Sequence, residues 1–269
     1  MPELPEVETV KNGLQDLVGT TVTSVIIRFP RLRYPLNQSE LDQAVEQKIS
    51  AITRRAKYLI FHLERGYLIY HLGMSGRVTL YADQAPEVLK HDHVDIICDN
   101  YTIRYNDPRR FGCIIYTASL ENNPMLANLG PEPLEAEFTS EYLANKLNKR
   151  NTPIKQLIMD NAVVVGVGNI YACESLFLSK ISPLRKGKDL NLAESQLLVA
   201  NIQKVLTEAI AAGGSSLRDY KNAQGELGYF QQSHNVYGKA KQSCTSCGDI
   251  IQEVRLGQRN SFYCPTCQH

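Results

Sequence analysis

The chain has almost no excess of charge. Across 269 residues, 29 Lys and Arg stand against 28 Asp and Glu, a net +1, so global charge announces neither a nucleic acid nor a membrane as partner. Long apolar runs are also missing. The longest mostly apolar stretch, residues 162–172, is about half of what a bilayer-spanning helix needs, so no membrane segment is expected. The first residues are acidic rather than basic, so no secretory signal is expected. Seven cysteines are an odd number, which excludes a fully paired disulfide framework. Cys98, Cys113 and Cys173 are scattered, as suits a reducing cytosol. There is no internal repeat, no low-complexity tract and no G-x-G-x-x-G fingerprint. What is left is a chain with 43% hydrophobic residues, long enough to bury a full core and to divide into domains.

The charge that is present is unevenly placed. Residues 1–145 carry 14 basic and 19 acidic side chains, a balance of −5; residues 146–269 carry 15 and 9, a balance of +6. That asymmetry suggests a basic face on the second half.

The most informative stretch is the first, Met1-Pro2-Glu3-Leu4-Pro5-Glu6. A small Pro2 makes the initiator methionine removable, and its removal leaves a secondary amine with a carboxylate beside it. An α-amino group titrates near ~7.7–8.0, so a usable fraction is neutral and nucleophilic at physiological pH. A secondary amine attacking a sugar C1′ gives an iminium that cannot lose a proton from nitrogen, an electron sink for later elimination. Glu3 is positioned to move protons there. A chain that kept Met1 would have no such amine. The same residues also read as an ordinary helix start, with proline in the first turn and acids near the positive end of the dipole.

Val7, Val10, Leu14 and Leu17 recur three to four apart before Gly19, which predicts an amphipathic helix over residues 3–18. Short β-rich runs follow at 22–29, 58–63, 67–72, 77–81, 94–98, 102–106 and 112–117, a pattern for a β-sandwich or barrel. The Gly- and Pro-rich segment 129–135 reads as a domain boundary. Beyond it the chain is helical to about residue 220, with Thr152-Pro153 as one helix start and Asn191 with Glu194 as a capping box for another. Residues 222–242 read as loop. The resulting division is a β-rich domain at 1–130, a helical domain at 131–234 and a four-cysteine hairpin at 235–269.

Cys244-x2-Cys247-x16-Cys264-x2-Cys267 is two C-x-x-C knuckles spaced for one tetrahedral zinc with four thiolate ligands; an iron centre or redox pairs are the alternatives. The intervening residues read as strands 250–256 and 261–264 around a turn at 257–260 that presents Arg259. Val165-Gly166-Val167-Gly168-Asn169-Ile170-Tyr171 places glycines before a helix, where backbone N–H groups approach a phosphate; a tight turn is the plainer reading. Arg54-Arg55-Ala56-Lys57-Tyr58 enters a strand, and alternation puts Arg55 and Lys57 on one face. His71–Gly76 sets Met74 between glycines, and Asp107–Gly112 offers cations and Phe111 on a turn. Exposed Met and Phe beside arginines resemble wedges that fill a gap in a base stack, though each alone suits a packed loop. His91-Asp92-His93 lacks a third metal ligand at suitable spacing.

Taken together, these motifs resemble the formamidopyrimidine-DNA glycosylases, bacterial base-excision enzymes for oxidised purines, over essentially the whole chain and in the family's order. The resemblance implies an α+β multidomain fold: an N-terminal β-sandwich flanked by helices, a helix–two-turns–helix domain and a C-terminal zinc β-hairpin. DNA is then expected in the cleft between the lobes. It implies Pro2 as nucleophile and Glu3 as general acid for base loss and ring opening. Lys57 becomes the proton donor associated with β-elimination, and Arg259 the one for δ-elimination. His91, Arg109 and Arg150 match DNA-contacting positions, and Asn169 one that holds a phosphate near the lesion. Met74, Arg109 and Phe111 match the set that fills the void left by a flipped base. Residues 225–230 lie where the family has a mobile loop. Cys244, Cys247, Cys264 and Cys267 hold one structural zinc. The expected partner is damaged double-stranded DNA, bound by a monomer in the bacterial cytoplasm and nucleoid-associated through that DNA, with no membrane.

Departures from the family pattern are few: Lys239-Ala240-Lys241 replaces a more usual Arg-x-Gly, and Cys173 stands where Ser or Asp is expected. Two rivals are an endonuclease VIII-like glycosylase for oxidised pyrimidines and a non-catalytic damage-binding protein on the same scaffold. Leu4 and the Arg109/Phe111 pair favour the purine branch, and the intact set Pro2, Glu3, Lys57 and Arg259 favours catalysis.

Overall fold

A computed structural model describes residues 2–121, 123–215 and 234–269. The chain forms two compact units, one of residues 1–127 with 212–231, the other of residues 128–211 with 232–269.

The first unit is a β-sandwich. Helix α1 (Leu4–Gly13) opens it. Strands β1 (Val22–Ile27), β2 (Ile49–Arg55), β3 (Tyr58–Leu63), β4 (Gly66–His71), β5 (Arg77–Ala82), β6 (Asp92–Cys98), β7 (Tyr101–Asn106) and β8 (Cys113–Thr117) follow, with a short helix α2 (Gln38–Leu41) after β1. They build two antiparallel sheets, ordered β1-β6-β7-β5 and β2-β3-β4-β8. One apolar cluster takes Val25, Val94, Ile96, Ile103 and Tyr105 from the first sheet and Ile52, Leu59, Phe61, Leu68 and Tyr70 from the second. Each such side chain contributes on the order of 1.5–3 kcal/mol by leaving water. Val7, Val10, Leu14 and Leu17 are fully buried in the same cluster. The regular helix, however, stops at Gly13; a 3-10 turn at Gln15–Leu17 carries the last apolar residue inward, and Gly19 (φ +97°) ends the segment.

β2 is absent from the period-2 reading. A bulge between Ile49 and Ala51 shifts the register, so its buried residues, Ile49 and Ile52, lie three apart instead of two. Ala56 and Lys57 then form the turn between paired Arg55 and Tyr58. The expectation that Arg55 and Lys57 share a strand face is thereby corrected, because alternation ends where the strand does.

The second unit holds α3 (Ser140–Leu147), α4 (Ile154–Ile158), α5 (Asn169–Leu178) and α6 (Leu192–Ala211), then the hairpin β9 (Gln252–Leu256) and β10 (Arg259–Tyr263). The capping box at α6 is present: Glu194 N donates to Asn191 Oδ1 and Asn191 N to Glu194 Oε2, both at 2.9 Å. At α4 the cap position falls on Pro153 itself, and the helix begins at Ile154. Among the described residues no helix is long and apolar enough to cross a membrane. The expected loop residues 225–230 lie outside the described residues.

Candidate active site

In the first unit, Pro2 and Glu3 are buried at the start of α1. Glu3 is the cap residue, and its N–H donates to Glu6 Oε2 at 2.8 Å. Glu6 Oε1 accepts from Ser215 N at 2.7 Å. Both carboxylate oxygens of buried Glu6 thus hold backbone amides, one of them belonging to the residue beside Pro2.

Lys57 sits at the second central position of the β2–β3 turn, after Ala56, whose φ is +53°. Arg54 Nη1 donates to the Ala56 carbonyl at 2.9 Å, and Arg54 Nε donates to Glu8 Oε2 of α1 at 2.7 Å. Across the sheet, His71 faces Tyr58 with ring centroids 5.0 Å apart. Gly73 N donates to His71 Nδ1 at 3.1 Å, which leaves the imidazole proton on Nε2. Burial first, then the positive charges of Lys57 and Arg33, bring the His71 pKa from 6.5 to about 4. His71 is therefore a neutral hydrogen-bond donor at physiological pH. It lines a pocket of about 270 Å³ with Arg33, Gly73, Met74 and Phe111.

Met74, Arg109 and Phe111 come together on two adjoining loops. Phe111 is 47% exposed, and the Arg109 guanidinium carbon lies 4.8 Å from its ring centroid. The loops meet with no room to spare. A Cβ on Gly73 (φ +63°) would come 2.4 Å from Gly112 N, and one on Gly112 would come 1.8 Å from the Tyr105 hydroxyl. Fully buried Asp107 ties them: Oδ1 accepts from Ser75 Oγ at 2.6 Å and Arg109 N at 3.3 Å, and Oδ2 from Gly112 N at 2.9 Å and Tyr105 Oη at 3.2 Å. An exposed phenyl ring and its arginine are thus carried on a base held by a buried carboxylate. His91 is half-buried, edge-on to His93 at 6.2 Å, and His93 Nε2 is 2.9 Å from the Asp107 carbonyl.

In the second unit, Asn169 opens α5 after Gly168, as a phosphate-facing residue would. It is bolted to the zinc hairpin. Lys155, only 1% exposed, donates to Asn169 Oδ1 at 2.5 Å, Ser261 Oγ at 2.7 Å and the Asn260 carbonyl at 3.1 Å, and Asn169 Nδ2 reaches that carbonyl at 3.0 Å. Arg259 is exposed beside them. It opens β10, paired with Leu256, and the turn proper is Gly257 and Gln258, so the predicted turn at 257–260 is two residues shorter and Arg259 belongs to the strand. Gly257 has φ +58°, and a Cβ there would sit 2.7 Å from Gln156 Nε2. Arg150 is exposed on the loop after α3.

The Sγ atoms of Cys244, Cys247, Cys264 and Cys267 lie within 4.8 Å of one another, with Cys244–Cys267 at 3.9 Å and Cys247–Cys264 at 3.5 Å. Tetrahedral ligation at Zn–S ~2.3 Å separates sulfurs by about 3.8 Å. Disulfides, at ~2.05 Å, do not fit. The donor set and its geometry suit one structural zinc. Behind it pack Cys173, Phe177, Val236 and Ile251. Buried Glu174 holds the chain leading into the hairpin, accepting from the amides of Asn235, Val236 and Tyr237 at 2.7, 3.0 and 2.8 Å.

Sequence reasoning did not single out Glu6, His71, Asp107 or Lys155 as site residues. Asp107 and His71 stand at the edges of motifs read for their wedge residues. A lysine near a helix start gives no sign that it will be buried.

The three parts of the chain match three family descriptions: formamidopyrimidine-DNA glycosylase N-terminal domain at residues 1–114, formamidopyrimidine-DNA glycosylase H2TH domain at 129–221, and the zinc finger found in FPG and IleRS at 241–269. A formamidopyrimidine-DNA glycosylase of Vibrio cholerae is 50% identical over 271 residues, covering all of both chains. That of Pasteurella multocida is 48% identical over 270 residues, covering all of this chain and 99% of its own. Among solved structures, a Lactococcus lactis FPG variant bound to Fapy-dG-containing DNA superposes with TM-score 0.92 at 34% identity over the full length of both chains. The MutM (FPG) protein of Thermus thermophilus gives 0.89 at 37% identity, covering 99% of this chain and 98% of its own. Full-length kinship and one shared three-part architecture lead to a single assignment: this chain belongs to the formamidopyrimidine-DNA glycosylase family.

Proposed function

We propose that the protein excises oxidised purines, 8-oxoguanine and formamidopyrimidines, from duplex DNA and cleaves the resulting abasic site by β,δ-elimination. Solved relatives were captured on DNA carrying Fapy-dG, carbocyclic 8-oxo-G and an abasic site. The observation that carries the reading is the start of α1, where Pro2 precedes a buried Glu3 whose amide is fixed by a second buried carboxylate, Glu6.

With Met1 removed, the Pro2 nitrogen attacks C1′. The glycosidic bond breaks toward the base, which leaves with the proton given up by the Pro2 nitrogen, and Glu3 protonates the sugar ring oxygen as the ring opens and the C1′–nitrogen iminium forms. The Pro2 iminium then accepts the electron pair released when C2′ loses a proton, and returns it as the 3′ phosphate departs with the C3′–O bonding pair. Lys57 supplies the proton traffic of this β-elimination. Arg259, on the zinc hairpin, serves the second elimination that releases the 5′ phosphate. Asn169, His91 and Arg150 hold phosphates, which set register without reading sequence. Met74, Arg109 and Phe111 occupy the gap left by the extruded nucleotide, offsetting the few kcal/mol that flipping costs. The zinc fixes the hairpin and takes no part in the chemistry. The protein acts as a monomer on damaged DNA in the bacterial cytosol, associated with the nucleoid through that DNA.

Borohydride added during reaction with an 8-oxoguanine duplex is expected to yield one covalent protein–DNA adduct that maps to Pro2. An N-terminal extension that blocks the amine abolishes it. Trapping that survives the extension would show that another amine is the nucleophile.

A further inference from the structure

We propose that Glu8 and Arg54, neither of which touches DNA in the scheme above, are positioning residues that hold Lys57 in register with the start of α1. The inference rests on the reading of Lys57 as a proton carrier in β-elimination.

Lys57 occupies a turn that its own sequence does not favour. Arg55 pairs with Tyr58, so Ala56 and Lys57 close the β2–β3 connection, and Ala56 adopts φ +53° without being glycine or asparagine. A left-handed alanine needs outside support to persist as a single conformation. Arg54 supplies it: its Nη1 donates to the Ala56 carbonyl at 2.9 Å. That carbonyl belongs to the peptide joining Ala56 to Lys57. The bond therefore fixes the peptide plane from which the Lys57 side chain departs.

The guanidinium is itself aimed by α1. Arg54 Nε donates to Glu8 Oε2 at 2.7 Å, and Lys11 holds the other oxygen of Glu8. The Arg54 and Glu8 side chains are only 10% and 17% exposed, so the pair is more than a surface contact. Burial pushes the Glu8 carboxyl up, and Lys11 and Arg54 more than reverse it, leaving its pKa below the ordinary value of 4.5. Glu8 therefore stays ionised wherever the enzyme works. Helix α1, which begins directly after Pro2 and its cap residue Glu3, packs on β2 and β3. One helix thus carries two carboxylates with parallel tasks. Glu6 fixes the amide of Glu3, and Glu8, through Arg54, fixes the turn of Lys57. A single fork of two N–H donors does the second task, which is why Arg is needed: a lysine has one nitrogen and cannot hold Glu8 and the Ala56 carbonyl in the same planar geometry.

The test uses the full-length protein under single-turnover conditions on duplex DNA with a preformed abasic site. Strand cleavage is followed separately from borohydride-trappable adduct. Arg54→Lys is expected to slow cleavage roughly tenfold, the scale of a small misplacement of a reacting group, while adduct yield stays near wild type. Glu8→Gln, nearly isosteric and therefore safe for folding, is expected to slow it several-fold in the same direction. In a Lys57→Ala background, Arg54→Lys should change cleavage less than twofold, because nothing is left to position. Equal slowing with and without Lys57 would make the pair merely structural and overturn the proposal, as would wild-type cleavage by both single variants. Wild-type cleavage by Lys57→Ala alone would instead remove the underlying reading of Lys57, and the proposal with it.

Discussion

At the scale of single residues, the chemistry in this protein depends on polar groups placed where water cannot compete. Glu6 accepts from the amides of Glu3 and Ser215, and Asp107 distributes its two oxygens over amides and hydroxyls of the loops that carry Arg109 and Phe111. His71 shows the electrostatic side of the same arrangement. Its pKa of about 4 means that below 6.5 the unfolded chain binds a proton that the folded one refuses. The stability it contributes is complete above pH 6.5 and is lost as pH falls from there to 4, in all about 3 kcal/mol at ~1.4 kcal/mol per pH unit. Urea unfolding at pH 7.5 and pH 5 checks this. Relative to wild type, His71→Gln should lose about 2 kcal/mol less stability over that interval. Identical pH dependence in the two proteins would mean that folding leaves the His71 pKa unchanged.

At the scale of elements, legibility in the sequence followed regularity. Strands rich in β-branched and aromatic residues, such as β6 and β7, are predicted to within two residues at each end, although they are buried along nearly their whole length. β2 was invisible because a bulge converts its buried spacing from two to three. The Lys57 turn reads as strand because Ala56 carries no turn signal, its left-handed backbone being held by Arg54 and not by its own preference. The zinc hairpin was legible because ligand spacing is covalent information, independent of packing. Its attachment through buried Lys155 was not, since burial of a lysine depends on acceptors 14 and more than 100 residues away. The hairpin has two strands and a small apolar cluster, too little to hold together without metal. Cys247→Ser is therefore expected to lose the zinc, seen as the missing mass in native mass spectrometry, and to lose lesion-DNA binding with it. Arg259→Ala should keep the metal and slow incision. Full zinc occupancy and normal binding in the Cys247→Ser protein would contradict the hairpin's dependence on the ion.

At the scale of the whole molecule, a net charge of +1 leaves recognition to local arrangement, and substrate class becomes the property that integrates every part. The Arg109 and Phe111 pair proposed as the wedge is built asymmetrically. Phe111 offers an exposed ring to stack, and Arg109, stacked 4.8 Å over it, retains a guanidinium edge for hydrogen bonding. A guanidinium beside the base opposite the lesion favours acceptor groups, which suits cytosine, and a matched contact of this kind discriminates by ~1–3 kcal/mol. Single-turnover excision of 8-oxoguanine and formamidopyrimidines is accordingly expected to be roughly tenfold to a hundredfold faster opposite cytosine than opposite adenine. Arg109→Ala should flatten that preference. If Arg109 also neutralises a phosphate, the same variant binds with a salt dependence shallower by about one charge. Side-by-side rates on 8-oxoguanine and thymine glycol duplexes decide the class itself. Oxidised purine should be processed faster, because the Leu4, Arg109 and Phe111 combination belongs to the purine branch. Faster thymine glycol excision would return the chain to the endonuclease VIII-like reading, with Pro2 chemistry intact and the assignment of the wedge wrong.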